Sequence, residues 1–328
     1  MLARVRTRLA AMAVAVPAQD ALQPAGPQAQ RIADLWYLTV VVCGVVLAAV
    51  LAALLIALVR RAPRDDDPGA LVPKQAGRAV AGATVLSVVV LLGLIVADVM
   101  TDRALSRLPA PDALHVEIVG RQWWWDVRYA SPGGSTVATP NELHVPVGQP
   151  VVVSLKAGDV IHTFWVPNLH GKKDMIPGSD AAIVFRADRA GVYRGQCAEF
   201  CGLEHALMAF VVVAEPRAAF ERWLAQQQRP SAVPRAETAR EGQRIFLSAN
   251  CVTCHTVRGT SAAGTLGPDL THLMSRGQLA AGTVPNDHHH LRLWIERPGQ
   301  LKPGTTMPAS TLSSADLDTL AAWLETLR

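Results

Sequence analysis

Cys197-Ala-Glu199-Phe-Cys201-Gly-Leu-Glu-His205-Ala-Leu-Met208 places two thiols, an imidazole and a thioether within one short run. Thiolate and thioether sulfur are soft donors that favour copper, and imidazole suits copper as well. A mononuclear blue site uses a single cysteine. A second cysteine four residues on is able to bridge a second ion, so that one electron spreads over both. Such a site needs another imidazole, and His162 in Asp159-Val-Ile-His162-Thr-Phe-Trp165 is the candidate, at the end of an apolar stretch upstream. Two other readings stay open for these residues. One is structural zinc, which prefers closed Cys and His tetrahedra and rarely recruits methionine. The other is a disulfide between Cys197 and Cys201.

Cys251-Val-Thr-Cys254-His255 is the attachment signature of a c-type haem, in which both thiols form thioethers and the histidine is the proximal ligand. A helical lead-in over Glu241 to Leu247, then Gly267-Pro268-Asp269-Leu270, then Lys302-Pro-Gly-Thr-Thr-Met307-Pro308 resembles a small class I cytochrome c throughout. The resemblance implies Met307 as sixth ligand, which also raises the potential, and the Pro268 carbonyl as acceptor of the His255 Nδ1 proton. Met274, following Thr271-His272-Leu273, reads as core filling. The two motifs consume four of the five cysteines, so no disulfide framework remains. The fifth, Cys43, lies in an apolar span and reads as a small buried hydrophobe. Haem attachment and copper assembly both imply the outer face of a membrane, an oxidising compartment.

Trp36 to Val59 is an unbroken apolar run of spanning length, and a second runs from Ala79 to about residue 97. Arg60, Arg61, Arg64, Lys74 and Arg78 lie between them, so the positive-inside rule places this loop in the cytoplasm and both ends of the hairpin outside. Asp65, Asp66 and Asp67, flanked by Pro63 and Pro68, read as a solvated turn. Met1 to Val16 has the outline of an export signal. The net charge of +4 comes mostly from arginines flanking the membrane. Acids slightly outnumber bases from His115 to Glu215 and match them from Glu237 to Arg328, so neither part carries a strong steering field and no nucleic-acid partner is indicated. His288-His-His290 reads as a solvated surface cluster.

From His115 to Ala214 the pattern is that of strands: His115 to Val119 and Glu142 to Val147 alternate, Val151 to Leu155 and Ala182 to Phe185 are runs of strand formers, and Ala209 to Val213 closes the series. Short strands at this spacing favour an antiparallel sandwich or barrel. Pro216 to Gln228 reads as a short helix, and Arg229 to Ala236 as a Pro-punctuated linker that holds the last domain at high effective concentration. A final helix starts near Ser313 or Ser314, with Leu317, Leu320, Leu324 and Leu327 on one face.

The CxExCxxxHxxM run with its upstream DVxH closely resembles the dinuclear copper-A site of cytochrome c oxidase subunit II. The resemblance implies Cys197 and Cys201 as bridging thiolates, His162 and His205 as terminal imidazoles, Met208 as a weak ligand and the Glu199 carbonyl as a further one. The Glu199 carboxylate would help hold a magnesium or manganese ion at the boundary with subunit I, where a hard cation suits oxygen ligands. Gly120-Arg-Gln-Trp123-Trp124-Trp125 is similar to the family's GxQWYW region, which implies Trp123 as the port for incoming electrons with Trp125 beside it; Trp124 replaces the usual tyrosine. An aromatic cluster packed against the membrane surface or subunit I is the other reading of these rings. Many family members carry a glutamate at the cytoplasmic start of the second span, and no Glu occurs between Met1 and Arg103.

The expected architecture is therefore a multidomain membrane protein: an N-terminal segment over 1–25, a two-helix transmembrane hairpin over 26–108 (spans about 36–59 and 79–97), an all-β cupredoxin-like copper-A domain over 109–228, a linker over 229–236, and an all-α class I cytochrome c domain over 237–328. By resemblance it is the electron-transfer subunit of a proton-pumping caa-type haem-copper oxidase in a bacterial plasma membrane. Electrons would pass from an external donor, a cytochrome c or a quinol-oxidising complex, through the haem and the dinuclear copper to subunit I, where oxygen is reduced to water. Subunit I, subunit III and membrane lipid are the expected partners, and this chain alone would not reduce oxygen. The copper-A subunit of a nitric oxide reductase and a non-enzymatic copper-binding protein are the alternatives; the second leaves CxxCH and Met307 unexplained.

Overall fold

The computed structural model describes residues 19–60, 74–105, 112–130 and 136–328. The export signal, the Asp65 to Asp67 turn and most of the basic loop lie outside these residues. One compact unit spans residues 28–108. It is built from α1 (Pro27–Arg60) and α2 (Lys74–Leu105), each with an apolar stretch of spanning length that has no residue buried within the chain. A core helix of a soluble protein would bury that stretch. At 1.5 Å per residue the helices are about 50 Å long, well beyond a ~30 Å hydrocarbon layer, so each extends past the apolar run that its sequence marks. Cys43 lies exposed on α1, so it is not packed inside the chain as its sequence suggests.

The second unit holds the remaining described residues. Its first part is a sandwich of β1 (Leu114–Arg121), β2 (Trp124–Ala130), β3 (Thr136–Pro140), β4 (Glu142–Pro146), β5 (Pro150–Ala157), β6 (His162–Trp165), β7 (Lys173–Met175), β8 (Ala181–Arg186), β9 (Gly191–Cys197) and β10 (Ala209–Glu215). One sheet runs β3-β2-β1-β5-β8 and the other β4-β10-β9-β6-β7. The β1–β5 and β4–β10 pairs are parallel, so this cupredoxin-like sandwich is not purely antiparallel. Trp125, Phe164 and Phe210 meet in its core at centroid distances of 4.9 to 6.2 Å, in tilted and edge-on arrangements that suit aromatic quadrupoles. Gly195 in β9 is required there, because a Cβ would lie 2.3 Å from Phe210 Cζ. Residues 19–25, read from sequence as part of the N-terminal segment, are strapped to the sandwich. Ala25 N–H donates to Asn168 O (2.7 Å), Ala25 O accepts from Asp188 N–H (2.8 Å), and Ala25 is buried in the core.

Helix α3 (Arg217–Gln227) closes the sandwich. The helical part that follows has α4 (Glu237–Ser248), α5 (Cys251–Cys254), a small hairpin of β11 (Gln278–Leu279) and β12 (Val284–Pro285), α6 (His288–Glu296), α7 (Pro298–Leu301) and α8 (Ser314–Leu324). Ser313 caps α8 by accepting from Asp316 N–H. The apolar face of α8 packs on α4 through Gly242, where a Cβ would stand 2.3 Å from Thr319 O. Met274 packs against this core as expected. The histidine tract lies at the surface as expected and forms the first turn of α6, capped by Asp287, with His288 Nδ1 3.0 Å from Glu325.

Candidate metal centre

Strands β6 and β9 are neighbours, and Phe164 pairs with Cys197. This register brings His162, the first residue of β6, alongside Cys197, the last of β9. The chain then turns through Cys201 into a short 3-10 turn, His205–Leu207, and Met208 leads into β10. Two of the candidate ligands thus sit on strand ends and the others on the connecting loop. Cys197, Cys201, His162 and Met208 are all buried. Ligand atoms of His162, Cys197 and Cys201 lie within 4.8 Å of one another. Cys197 Sγ is 3.8 Å from His162 Nδ1 and 3.2 Å from Glu199 O. Cys201 Sγ is 3.7 Å from His205 Nδ1 and 3.8 Å from Met208 Sδ. Both thiols are free, which disposes of the disulfide reading in this structure.

Two ligands on one tetrahedral ion, at bond lengths of about 2.3 Å to sulfur and 2.0 Å to nitrogen, stand roughly 3.5 Å apart. The observed spacings fit metal binding with little movement. Two thiols, two imidazoles and a thioether form a soft donor set that fits copper. Cys197 is held down to about 3, first by its hydrogen bond with Cys201 and then by His162, while the same shared bond and burial push Cys201 up. The metal-free pair therefore keeps one thiolate already formed, the state a metal ligand needs.

A further set of groups fixes the ligands. His162 Nε2 is 2.7 Å from Asp159 Oδ1, and Asp159 Oδ2 accepts from Gln122 N–H (2.6 Å). A carboxylate on the far nitrogen sets ring orientation and leaves Nδ1 facing Cys197. Burial raises Asp159, but hydrogen bonds from His162, Gln122 and Val160 outweigh it and keep it below the usual carboxylate range. The Cys201 carbonyl accepts from Gln122 Nε2 (2.8 Å) and Trp123 Nε1 (2.9 Å). Trp123 therefore touches the ligand loop directly. Trp125 is wholly buried, its ring centroid 6.3 Å from that of His162. Trp124 turns outward under Arg121. The Glu199 side chain is exposed.

In the helical domain, α5 presents Cys251 and Cys254 as free thiols, and His255 follows with Nδ1 2.8 Å from Pro268 O. Gly267 lies flat against this imidazole; a Cβ would come within 2.7 Å of Cε1. The ring is thus clamped on one side and oriented from Nδ1, which leaves Nε2 available to a haem iron, and the residues fit a covalently held haem. Burial lowers the basicity of His255, which favours the neutral, metal-binding form. Met307 is half-buried on the loop between α7 and α8.

Gln122, Asp159, Glu204 and Lys302 carry no assignment in the sequence reading. Lys302 Nζ donates to Trp123 O (3.1 Å) and Leu207 O (3.0 Å), and lies 3.8 Å from the Glu204 carboxylate. Asp159 was within sight, since it opens the DVxH motif. Lys302 has no local signal, because its partners stand far away in the chain.

The sequence matches two family models, "Cytochrome C oxidase subunit II, periplasmic domain" over residues 130–215 and "Cytochrome c" over residues 239–328. It is 34% identical over 323 residues to cytochrome c oxidase subunit 2 of Alkalihalophilus pseudofirmus, covering 94% of this chain and 90% of that one. It is 29% identical over 339 residues to the Bacillus subtilis protein of the same name, covering 95% and 92%. Among solved structures, the periplasmic domain of subunit II from the Bradyrhizobium japonicum oxidase is 29% identical, covering 37% of this chain and 97% of that one with a TM-score of 0.34. With one family model on each soluble domain and a full-length relative above 30% identity, the chain belongs to the cytochrome c oxidase subunit 2 family, in the form that carries a fused cytochrome c domain.

Proposed function

We propose that this membrane-anchored electron-transfer subunit holds two copper ions rather than one, through Cys197, Cys201, His162, His205, Met208 and the Glu199 carbonyl. When bound, copper and haem each take up and release one electron without bond making. What the chain supplies is a fixed frame. The observation that carries the reading is that each of two buried thiols, one thiol more than a single blue copper needs, has its own imidazole within 3.8 Å. The stiff sandwich on which the ligands are mounted limits their movement when charge changes.

The chain would cross the membrane twice, with the loop between α1 and α2 in the cytoplasm and the copper and haem domains outside. Cys251 and Cys254 would bind haem covalently, and His255, oriented by Pro268, and Met307 would hold its iron. Trp123 would be the port for electrons, supported by its bond to the Cys201 carbonyl. The exposed Glu199 carboxylate would offer oxygen to magnesium or manganese at the subunit I boundary. A cytochrome c or quinol-oxidising complex is the proposed donor, and subunit III and lipid are further contacts.

Metal and haem stoichiometry with low-temperature electron paramagnetic resonance on the full chain tests the reading. Two coppers with a hyperfine pattern from an electron shared equally by both nuclei, plus one low-spin haem, are expected. A single-copper pattern, or zinc, would overturn the dinuclear assignment.

A further inference from the structure

Lys302 belongs to the helical domain but satisfies its ammonium on the copper domain. It caps the C-terminal end of α7, where its N–H donates to Pro298 O (2.9 Å) and its carbonyl accepts from Thr305 N–H (3.1 Å). The backbone is thus fixed on both sides. The side chain is only 4% exposed. Its acceptors are the Trp123 and Leu207 carbonyls, with the Glu204 carboxylate 3.8 Å away. Glu204 is itself 1% exposed, and its Oε2 has no hydrogen bond. Two residues on, Gly304 adopts φ +99°, and a Cβ there would stand 3.0 Å from Leu203 Cδ1. The 302–304 turn therefore lies directly on the 203–207 turn.

A lysine buried without partners costs several kcal/mol, and one left on the surface would have served solubility as well. An ammonium has three donors, and here two carbonyls and a carboxylate converge on it. All three acceptors sit in or beside the segments that set the copper ligands. Glu204 and Leu207 flank His205 within the loop, and Trp123 holds the Cys201 carbonyl. On the other side, Lys302 stands five residues before Met307.

We propose that Lys302 is a positioning residue for electron transfer between the two domains: its buried ammonium pins the Met307 loop to the copper-ligand loop and fixes their separation. The proposal rests on the reading of these two loops as haem and copper ligand loops.

The test compares the full chain with K302M, which keeps the length and apolar stem of the side chain and removes the donors. K302Q serves as a milder removal of charge should K302M fold poorly. Loss of a charge-assisted bond to buried acceptors shifts the docked population by about tenfold or more. Amide exchange over 304–307 and 202–207 is expected to speed by at least about that factor, and haem-to-copper transfer after flash reduction to slow comparably, with copper and haem spectra unchanged. K302M/E204Q, which removes the buried unpaired carboxylate as well, is expected to regain melting temperature but neither exchange protection nor transfer rate. Wild-type exchange and transfer in K302M, or recovery of both in the double variant, would overturn the proposal. The exchange measurement needs no cofactor. A wild-type chain that fails to bind copper would therefore sink the copper reading and leave the docking result standing.

Discussion

Gly120 sets how closely β1 approaches the His162 ring, and G120A turns that contact into a measurable strain on the metal site. A Cβ at residue 120 would lie 2.9 Å from His162 Cδ2, 3.1 Å from Cγ and 3.3 Å from Cβ. Carbon atoms rest at about 3.5 to 4.0 Å, so the ring must retreat by roughly 0.6 Å or more. It retreats only by leaving the place that the Asp159 Oδ1 bond (2.7 Å) and the facing Cys197 Sγ (3.8 Å) define. Overpacking of this kind costs about 1 to 3 kcal/mol. In the metal-free chain the ring is able to relax away from the new methyl, whereas a bound ion demands Nδ1 in place. The cost therefore falls mainly on the bound state, and copper affinity should drop by roughly 5- to 150-fold. Competition of the purified chain against a chelator of known affinity measures this. G158A is the control, since a Cβ there meets its neighbours no closer than 3.4 Å. If G120A binds copper as tightly as G158A and the wild type, the claim that this glycine seats the ligand ring is wrong.

C201S leaves one thiolate near His162, so copper analysis should give one ion and the shared-electron hyperfine pattern should vanish; two ions with that pattern would refute the bridging role. In G242A the gain in helix propensity of up to about 1 kcal/mol is outweighed by a Cβ placed 2.3 Å from Thr319 O and 2.6 Å from Trp323 Cβ, so calorimetry should show the haem domain destabilised by about 1 to 3 kcal/mol. Burial lowers His144, but hydrogen bonds with Glu142 and Glu215 outweigh this and raise it above the ordinary imidazole value. Its stabilising contribution is therefore complete below pH ~6.5 and is lost as pH rises through the higher folded value; melting temperature against pH should show this fall, and H144Q should abolish it.

The candidate ligand cluster was legible in sequence because copper chemistry is written in side chains close together along the chain, whereas strands β6 and β9, on whose ends His162 and Cys197 sit, were not. Strand β2 hides inside an aromatic run whose alternation is broken by Asp126, buried because Arg128 pairs with it at 2.6 Å. Strand β9 does alternate, burying Tyr193, Gly195 and Cys197, but glycine at two of its seven positions contradicts strand propensity. Gly195 is there for Phe210, a cause that exists only after folding. Strand β6 is four residues long, too short to display a period. The haem domain was easier, since the Ser313 cap and the leucine spacing of α8 are local signals. The parallel β1–β5 and β4–β10 pairs are long-range choices that alternation does not encode.

The linker marks the largest change in physical picture. Composition presents residues 229–236 as a tether that brings a free domain near its acceptor. The structure instead ties the domains together by built contacts. Arg258 Nη2 donates to Gln227 O (2.6 Å), His272 Nε2 is 3.0 Å from Arg229 O, and Gly277 N–H donates to Glu142 Oε1 (2.9 Å). Ala209, the residue after Met208, donates its N–H to Ala281 O at 3.0 Å. Ala281 stands in a left-handed turn at φ 56°, a costly conformation outside glycine. A tether raises the frequency of encounters but leaves their geometry open. A backbone bond at the first residue past the ligand loop, together with an ammonium buried 3.0 Å from Leu207 O, specifies one geometry. Lengthening the linker with a Gly/Ser insert should therefore change interdomain transfer far less than K302M, an order of effects that a tethered-diffusion mechanism would reverse.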